Sequence, residues 1–184
     1  KAFLDDVREF GEGQLVVLSG GDPMKRPDLV ELVEYGTDAG LSMTLTPSGT
    51  DALTRDAIED LSDAGLRRMA VSLDGATPER HDAFRGETGS FEATLRAARD
   101  ATEAGLPLQV NTTVCADTVD DLPEIADVVA DLGAVLWSVF FLVPVGRGRL
   151  LDPVPPARAE SVMSWLHDLD ERVPFGIKTT EAPH

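Results

Sequence analysis

Val16-Val17-Leu18-Ser19-Gly20-Gly21-Asp22-Pro23 reads as a buried strand that stops at two glycines, followed by a carboxylate and a proline that opens the next segment. Glycine carries no Cβ and tolerates positive φ, so a ligand can approach the main chain closely at such a point. Bare backbone beside an acid, at the C-terminal mouth of a parallel strand, is where α/β proteins bind small molecules. One such motif decides nothing alone; the units repeated around it decide the fold.

Apolar, strand-like runs recur near 14–18, 41–46, 68–73, 107–114 and 134–143, with helical patterns near 27–39, 54–64, 90–104 and 121–132 between them. Helices close on one phrase, Ala-Gly-Leu at 39–41, 64–66 and 104–106, with Leu-Gly-Ala at 132–134. Each glycine suits the left-handed residue that ends a helix, and the next apolar residue starts a strand. Thr54 and Thr77 are placed to cap helices, Leu53 and Ile58 to staple one, and Pro27 and Pro78 to occupy first helical positions. Near-continuous apolar strands alternating with helices predict a parallel sheet covered on its outer face. A doubly wound sheet and a whole or partial (βα) barrel both fit, and the monotony of the unit favours the barrel. After Gly148 the rhythm changes: Pro153, Pro155 and Pro156 form a stiff linker, 157–172 a last helix, and 175–179 a final strand. The expected division is a core over 1–150 and a linker, helix and start of an extension over 151–184.

The chain has 184 residues and a net charge of −17, with 16 basic residues against 33 acids. Only Lys1, Lys25 and Lys178 are lysines. The acids are spread along the helices, which predicts an acidic solvated shell of the kind found in a salt-adapted or high-GC organism. Such a surface repels nucleic acid and anionic membranes, so neither is expected as a partner. The longest apolar run, 134–145, is too short to span a bilayer, and the expected location is the cytoplasm. The single cysteine, Cys115, excludes an internal disulfide or an all-cysteine metal cage and reads as a small buried hydrophobe. The chain starts at Lys1 without a methionine, and Phe3, Leu4, Val7 and Phe10 already share a helical face; a fragment is expected.

Chemistry is expected at the strand ends. The residues there are Ser19-Gly20-Gly21-Asp22-Pro23, Thr46-Pro47-Ser48-Gly49-Thr50, Ser72-Leu73-Asp74-Gly75, Asn111-Thr112-Thr113, and Val143-Pro144-Val145-Gly146-Arg147-Gly148. Hydroxyls, acids, an amide and glycines on one rim suit a polar ligand with ammonium, hydroxyl and carboxylate groups. Each has a plainer reading. Asp22 and Asp74 also fit turns in which the side chain bonds nearby backbone. Arg85 fits either a carboxylate clamp or a partner for surface acids, and His81 reads as structural or exposed. Gly146-Arg147-Gly148 is too common a phrase to assign phosphate. Trp137, Phe140 and Phe141 read as core, and Asp117, Asp120 and Asp121 as a helix-start cluster that favours the dipole.

Taken in order, these motifs resemble the radical S-adenosylmethionine (radical SAM) enzymes, in the branch that usually carries a C-terminal SPASM cluster domain and serves haem-like cofactor, PQQ-type and peptide maturation. The carrying motifs are 19–23, Val71-Ser72-Leu73-Asp74-Gly75, His81-Asp82-Ala83-Phe84-Arg85-Gly86, Gly89-Ser90-Phe91, Asn111-Thr112-Thr113, 141–148, and the closing Ile177-Lys178-Thr179-Thr180-Glu181-Ala182-Pro183-His184. The resemblance implies a partial (βα)6 TIM-like barrel of the radical SAM type, its first strand and cluster loop missing, with S-adenosylmethionine at its mouth. Gly20, Gly21, Asp22 and Pro23 would meet the methionine amino group. Ser72 and Asn111 would meet the methionine carboxylate or the ribose, with Arg85 as a carboxylate partner. Leu142, Val143 and Pro144 would run along the adenine, and Ser48, Asp74 and Thr113 complete the implied binding set.

The family's chemistry is reductive cleavage of S-adenosylmethionine by a [4Fe–4S] cluster, which gives a 5′-deoxyadenosyl radical that abstracts a substrate hydrogen. Two departures stand out. Asp22 stands where the family usually has Glu. The three-cysteine loop that ligates the cluster is absent, and its place falls before Lys1; a Cys-x-x-x-Cys-x-x-Cys loop is expected upstream, and the fragment alone should be inactive. Implied partners are a small-molecule or peptide substrate and an electron donor such as ferredoxin or flavodoxin. Two other functions fit the residues alone: an ordinary barrel lyase or isomerase using Asp22 or Asp74, and a non-catalytic ligand-binding module that kept the fold.

Overall fold

The computed structural model describes residues 1–50 and 52–180. Its strands are β1 (Leu15–Leu18), β2 (Ser42–Leu45), β3 (Arg68–Ser72), β4 (Leu108–Val114), β5 (Leu136–Phe141) and β6 (Gly176–Thr180). The helices are α1 (Ala2–Arg8), α2 (Leu29–Asp38), α3 (Arg55–Asp63), α4 (Pro78–Arg85), α5 (Ser90–Glu103), α6 (Leu122–Asp131) and α7 (Pro156–Asp170). The sheet order is β1-β2-β3-β4-β5-β6, and the registered pairs β1–β2, β2–β3, β4–β5 and β5–β6 are parallel. A doubly wound sheet reverses its strand order at a switch point. This order never reverses, and that settles the choice the sequence left open: the fold is a partial (βα)6 barrel.

Helix ends explain how one motif positions so many strands. In α2, α3, α5 and α6 the residue after the cap is a glycine at positive φ: Gly40 (81°), Gly65 (87°), Gly105 (74°) and Gly133 (66°). The next N–H reaches back to the carbonyl five residues earlier, Leu41 to Gly36 (2.9 Å), Leu66 to Leu61 (3.0 Å), Leu106 to Ala101 (2.9 Å) and Ala134 to Val129 (3.3 Å). This is the Schellman closure, with its apolar residue buried against the helix it ends. Helix-to-strand connections are short as a result, 39–41, 64–67, 104–107 and 132–135. Strand-to-helix connections run longer, 19–28, 46–54, 115–121 and 142–155.

Contacts divide the chain into two compact units. The first comprises Lys1–Val71 and Leu95–Leu108. Its core gathers Val33, Met43, Leu45, Ile58, Leu61, Met69, Ala98 and Ala101, all buried. Gly36 lets α2 settle on β2, because a Cβ there would sit 2.3 Å from Met43 Sδ. Thr54 Oγ1 accepts from Ala57 N–H at the start of α3, with Leu53 and Ile58 buried at the staple positions.

The second unit comprises Ser72–Thr94 and the described chain from Gln109 onward. Its core centres on Trp137, whose ring meets Trp165 and Phe175 edge-on at 6.3 Å each. The indole N–H donates to Thr112 Oγ1 (2.9 Å), and that hydroxyl donates to the Leu73 carbonyl (2.7 Å). The buried polar atoms are therefore paired, as a water-free core requires. Asp82 of α4 serves as the cap of α5, accepting from Gly89 N–H (2.5 Å), Ser90 Oγ (2.9 Å) and Phe91 N–H (2.8 Å). Those bonds hold its carboxyl below the usual carboxylate range.

Four local expectations change. In β1, expected as a buried strand, only Val16 is core, while Leu15 and Val17 are exposed. Pro27 lies outside a helix that begins at Leu29 with Asp28 as its cap; Pro23 instead opens a 3-10 turn, Pro23–Lys25, capped by Asp22. Of the apolar face in α1, only Leu4 is buried, while Phe3 and Phe10 are exposed. In β4 the run is alternating rather than continuously apolar: Leu108, Val110, Thr112 and Val114 are buried, and Gln109, Asn111 and Thr113 between them are half-buried. Alternation marks a sheet with one face on helices and one polar face.

Candidate functional site

In the first unit the end of β1 turns through Gly20 (φ 87°) and Gly21 (φ 57°), conformations that a side chain would strain. A Cβ built on either glycine meets nothing within 4 Å, so this main chain faces open space. Asp22 is half-buried and uses both oxygens: Oδ1 accepts from Met24 N–H (3.1 Å) and Oδ2 from Thr50 Oγ1 (2.7 Å). Ser48 Oγ donates to the Gly21 carbonyl (3.1 Å). Pro23 is buried as the first residue of the 3-10 turn. The connections after β1 and β2 are thus tied together by two hydroxyls, and the bare glycine backbone is held between those ties. Thr50 was in the rim motif, but its part in fixing Asp22 was not legible there.

The second unit builds its site around Asp74, 2% exposed at the end of β3. Oδ1 accepts from Thr113 N–H of β4 (2.7 Å), and Oδ2 from Arg85 Nη1 of α4 (3.2 Å). Burial pushes the Asp74 carboxyl up, while the Thr113 N–H and the Arg85 guanidinium pull it back toward ionisation. The Asp74 N–H donates to His81 Nδ1 (3.1 Å). An imidazole that accepts at Nδ1 must be neutral, and burial with the nearby Arg85 charge lowers its pKa to about 4. Phe91 packs edge-on against that ring at 5.8 Å.

Gly75 explains why the motif reads Asp-Gly. A Cβ there would lie 2.6 Å from His81 N, 2.9 Å from Arg80 C and 3.0 Å from His81 Cα, all backbone. The first turn of α4 therefore rests directly on the chain leaving β3. Arg85, read as clamp or surface partner, pairs with a buried acid instead. Asp74 is no local turn residue; it ties β3 to β4 and α4. His81 is structural, as one of its two readings had it.

Ser72 and Asn111 are half-buried, and Asn111 Oδ1 accepts from Gln109 Nε2 (2.7 Å). The same amide donates to Ser138 Oγ of β5 (3.2 Å). Leu142 N–H extends the β4–β5 ladder by donating to the Val114 carbonyl (3.0 Å), leaving Leu142 half-buried and Val143 and Pro144 exposed. Gly146 and Gly148 fall in a 3-10 turn, Gly146–Leu150; the Arg147 side chain and Glu181-Ala182-Pro183-His184 lie outside the described residues. A cavity of about 520 Å³ opens beside Asp74, Glu79, Phe84, Asp117, Asp121 and Leu151. Arg80 pairs with Asp121 there and donates to the Asp117 backbone carbonyl (2.9 Å), while Asp74 is held by Arg85. Of the helix-start acids, Asp121 and Asp120 are therefore ion-paired, Asp120 with Arg158 at 2.6 Å, while Asp117 meets Arg80 only through its backbone carbonyl.

The first unit thus offers open glycine backbone beside an acid, and the second offers the half-buried polar groups of Ser72, Asn111 and Thr113. An iron–sulfur cluster does not fit the donors among the described residues. Among the described residues no group of three His, Cys, Asp or Glu is placed to hold a metal, and Cys115 is buried against Thr118. No helix among them is long and apolar enough to cross a membrane.

Comparison with known proteins bears on the family and the fold. The Radical SAM superfamily model matches residues 1–129. The AdoMet-dependent heme synthase of Methanosarcina barkeri is 42% identical over 184 residues, which is 100% of this chain and 52% of that protein. The PqqA peptide cyclase of Ruegeria pomeroyi is 37% identical over 130 residues, 71% of this chain and 34% of that protein. The chain spans about half the length of the curated heme synthases that match it throughout. In fold it is similar to Streptococcus suis SuiB bound to S-adenosylmethionine, with a TM-score of 0.77 at 15% identity, over 90% of this chain and 39% of that one. With a family model covering most of its length and a relative this similar from end to end, the chain belongs to the radical SAM superfamily.

Proposed function

We propose that this chain is the S-adenosylmethionine-binding barrel segment of a radical SAM enzyme that acts on a haem-type tetrapyrrole. One observation carries the reading: the open, positive-φ backbone of Gly20 and Gly21 beside the tethered Asp22, in a chain 42% identical throughout to an AdoMet-dependent heme synthase. Gly20, Gly21, Asp22 and Pro23, supported by Ser48, are assigned to the methionine amino group. Ser72, Asn111 and Thr113 are assigned to the carboxylate or ribose, and Leu142, Val143 and Pro144 to the adenine. Asp74 and Arg85 bond each other, so their proposed part is to fix the tips of β3 and β4 rather than to donate the first contacts.

The [4Fe–4S] cluster would supply reductive cleavage of the sulfonium when bound, and its ligands are proposed to come from a Cys-x-x-x-Cys-x-x-Cys loop outside these 184 residues. A SPASM-type domain, a ferredoxin or flavodoxin donor and a cytoplasmic location belong to the same reading. A lyase or a non-catalytic module is less well supported, because the named relatives are a synthase and a cyclase. A peptide substrate is the second reading, favoured by the likeness to a PqqA peptide cyclase.

The test is an S-adenosylmethionine titration of the full-length, anaerobically reconstituted protein, with 5′-deoxyadenosine measured after reduction. Binding and cleavage are expected, with Gly20→Val and Asn111→Ala weakening binding. No affinity for S-adenosylmethionine overturns the proposal. Mass spectrometry of a tetrapyrrole and of a precursor peptide as substrates separates its two versions.

A further inference from the structure

Lys178 lies in register with Ser138, which lies in register with Asn111. Registered partners in a sheet project to the same face, so Asn111, Ser138 and Lys178 form one row across β4, β5 and β6. Thr113, Phe140 and Thr180 form the next row toward the strand ends. The opposite face of these strands carries Val110, Thr112, Val114, Trp137, Val139 and Phe141, all core. The face with Lys178 is the polar one, and Gln109 already links Asn111 to Ser138 across it.

Two features of this face lack partners. Lys178 is exposed, and no carboxylate among the described residues lies within 4 Å of its ammonium. Other basic residues, Lys25 and Arg96 among them, also lack an ion pair; what distinguishes Lys178 is its place on the polar sheet face, in one row with Asn111 and Ser138. Two residues further along β6, Thr180 Oγ1 is shut off from solvent and has no hydrogen-bond partner among the described residues. A buried hydroxyl without a partner costs about 1–3 kcal/mol, a cost that a ligand acceptor would remove. Phe140, between Thr113 and Thr180, adds half-buried aromatic surface to the same row. A cation, a donor hydroxyl and an aromatic ring on one face match a flat apolar ligand with anionic arms.

Resting on the tetrapyrrole reading above, we propose that Lys178 is a specificity-determining anchor, its ammonium binding a carboxylate side chain of the substrate while Thr180 Oγ1 donates beside it. Hydrogen bonds to charged groups contribute about 1.5–3 kcal/mol, or roughly a tenfold to hundredfold change in affinity. The test uses the full-length protein with iron coproporphyrin III and its tetramethyl ester, read by Soret absorbance at two ionic strengths. Lys178→Gln should weaken the acid at least about tenfold and abolish most of the salt dependence. Lys178→Arg should recover most of the loss, and S-adenosylmethionine affinity should stay unchanged in both variants. The ester, without carboxylates, should not distinguish the three proteins. Undiminished binding of the acid by Lys178→Gln, or equal losses for acid and ester, overturns the anchor and leaves the tetrapyrrole reading intact. A wild-type protein that ignores both porphyrins and binds an acidic peptide overturns both.

Discussion

Gly75→Ala is the sharpest probe of how the second unit is assembled. The backbone there is not at positive φ, so alanine adds no conformational strain; the whole effect must be steric. The new Cβ would meet His81 N at 2.6 Å and Arg80 C at 2.9 Å, and neither can rotate away as a flexible side chain would. Overpacking of this kind costs about 1–3 kcal/mol. Lifting α4 also stretches the Asp74 N–H···Nδ1 His81 bond, worth about 1 kcal/mol. The expected loss is about 2–4 kcal/mol, or roughly 30-fold to several-hundred-fold faster local opening. Hydrogen-exchange mass spectrometry of the full-length protein, on peptides covering 72–86, reads that opening directly. Gly105→Ala is the opposite control, since its φ is 74° but nothing lies within 4 Å of its Cβ; it should cost about 1–2 kcal/mol through backbone strain alone. If Gly75→Ala exchanges like wild type, or opens less than Gly105→Ala, the contact between α4 and the β3 exit does not hold that segment.

The His81 imidazole, with its pKa held near about 4 against about 6.5 in an unfolded chain, gives a pH signature. The unfolded state takes up the proton first as pH falls. The histidine's contribution is therefore complete above about 6.5, lost progressively toward about 4, and amounts to about 3 kcal/mol at most. Denaturation midpoints measured across that window should flatten in His81→Asn, whose amide oxygen can accept the Asp74 N–H without titrating; an unchanged slope would refute the assignment. Thr112→Val strands the Trp137 N–H and the Leu73 carbonyl together and should cost about 2 kcal/mol or more. Thr112→Ser keeps both bonds and should cost less than about 1.5 kcal/mol in the same denaturation experiment.

The parallel (βα) repeat was legible because its signals are local. An Ala-Gly-Leu phrase specifies a Schellman closure within six residues, and each of the three, with the Leu-Gly-Ala variant at 132–134, places a strand as expected. What was not legible depends on chain segments that meet only after folding. Asp22 is fixed by Thr50, 28 residues away, and Asp74 by Thr113, 39 residues away. Gly75 stands in the strand-end motif without a reason of its own, and the reason is a helix that folds back onto it from Arg80 and His81. The polar row of Gln109, Asn111 and Thr113 reads in sequence as part of an apolar run, and Ser138 and Lys178 join it only through register. Pro27 misled because two prolines compete to open one segment, and Pro23, with Asp22 capping it, starts the first turn.

The unequal loops carry a consequence for how such a scaffold changes its chemistry. A residue inserted into 39–41 or 64–67 would break a closure that sets where the following strand begins, and by the period of two it would swap that strand's faces. Added length in 142–155 disturbs no such constraint. Novelty can therefore accumulate at one rim while the other keeps strict time, so descendants can diverge in what they transform without renegotiating how they fold.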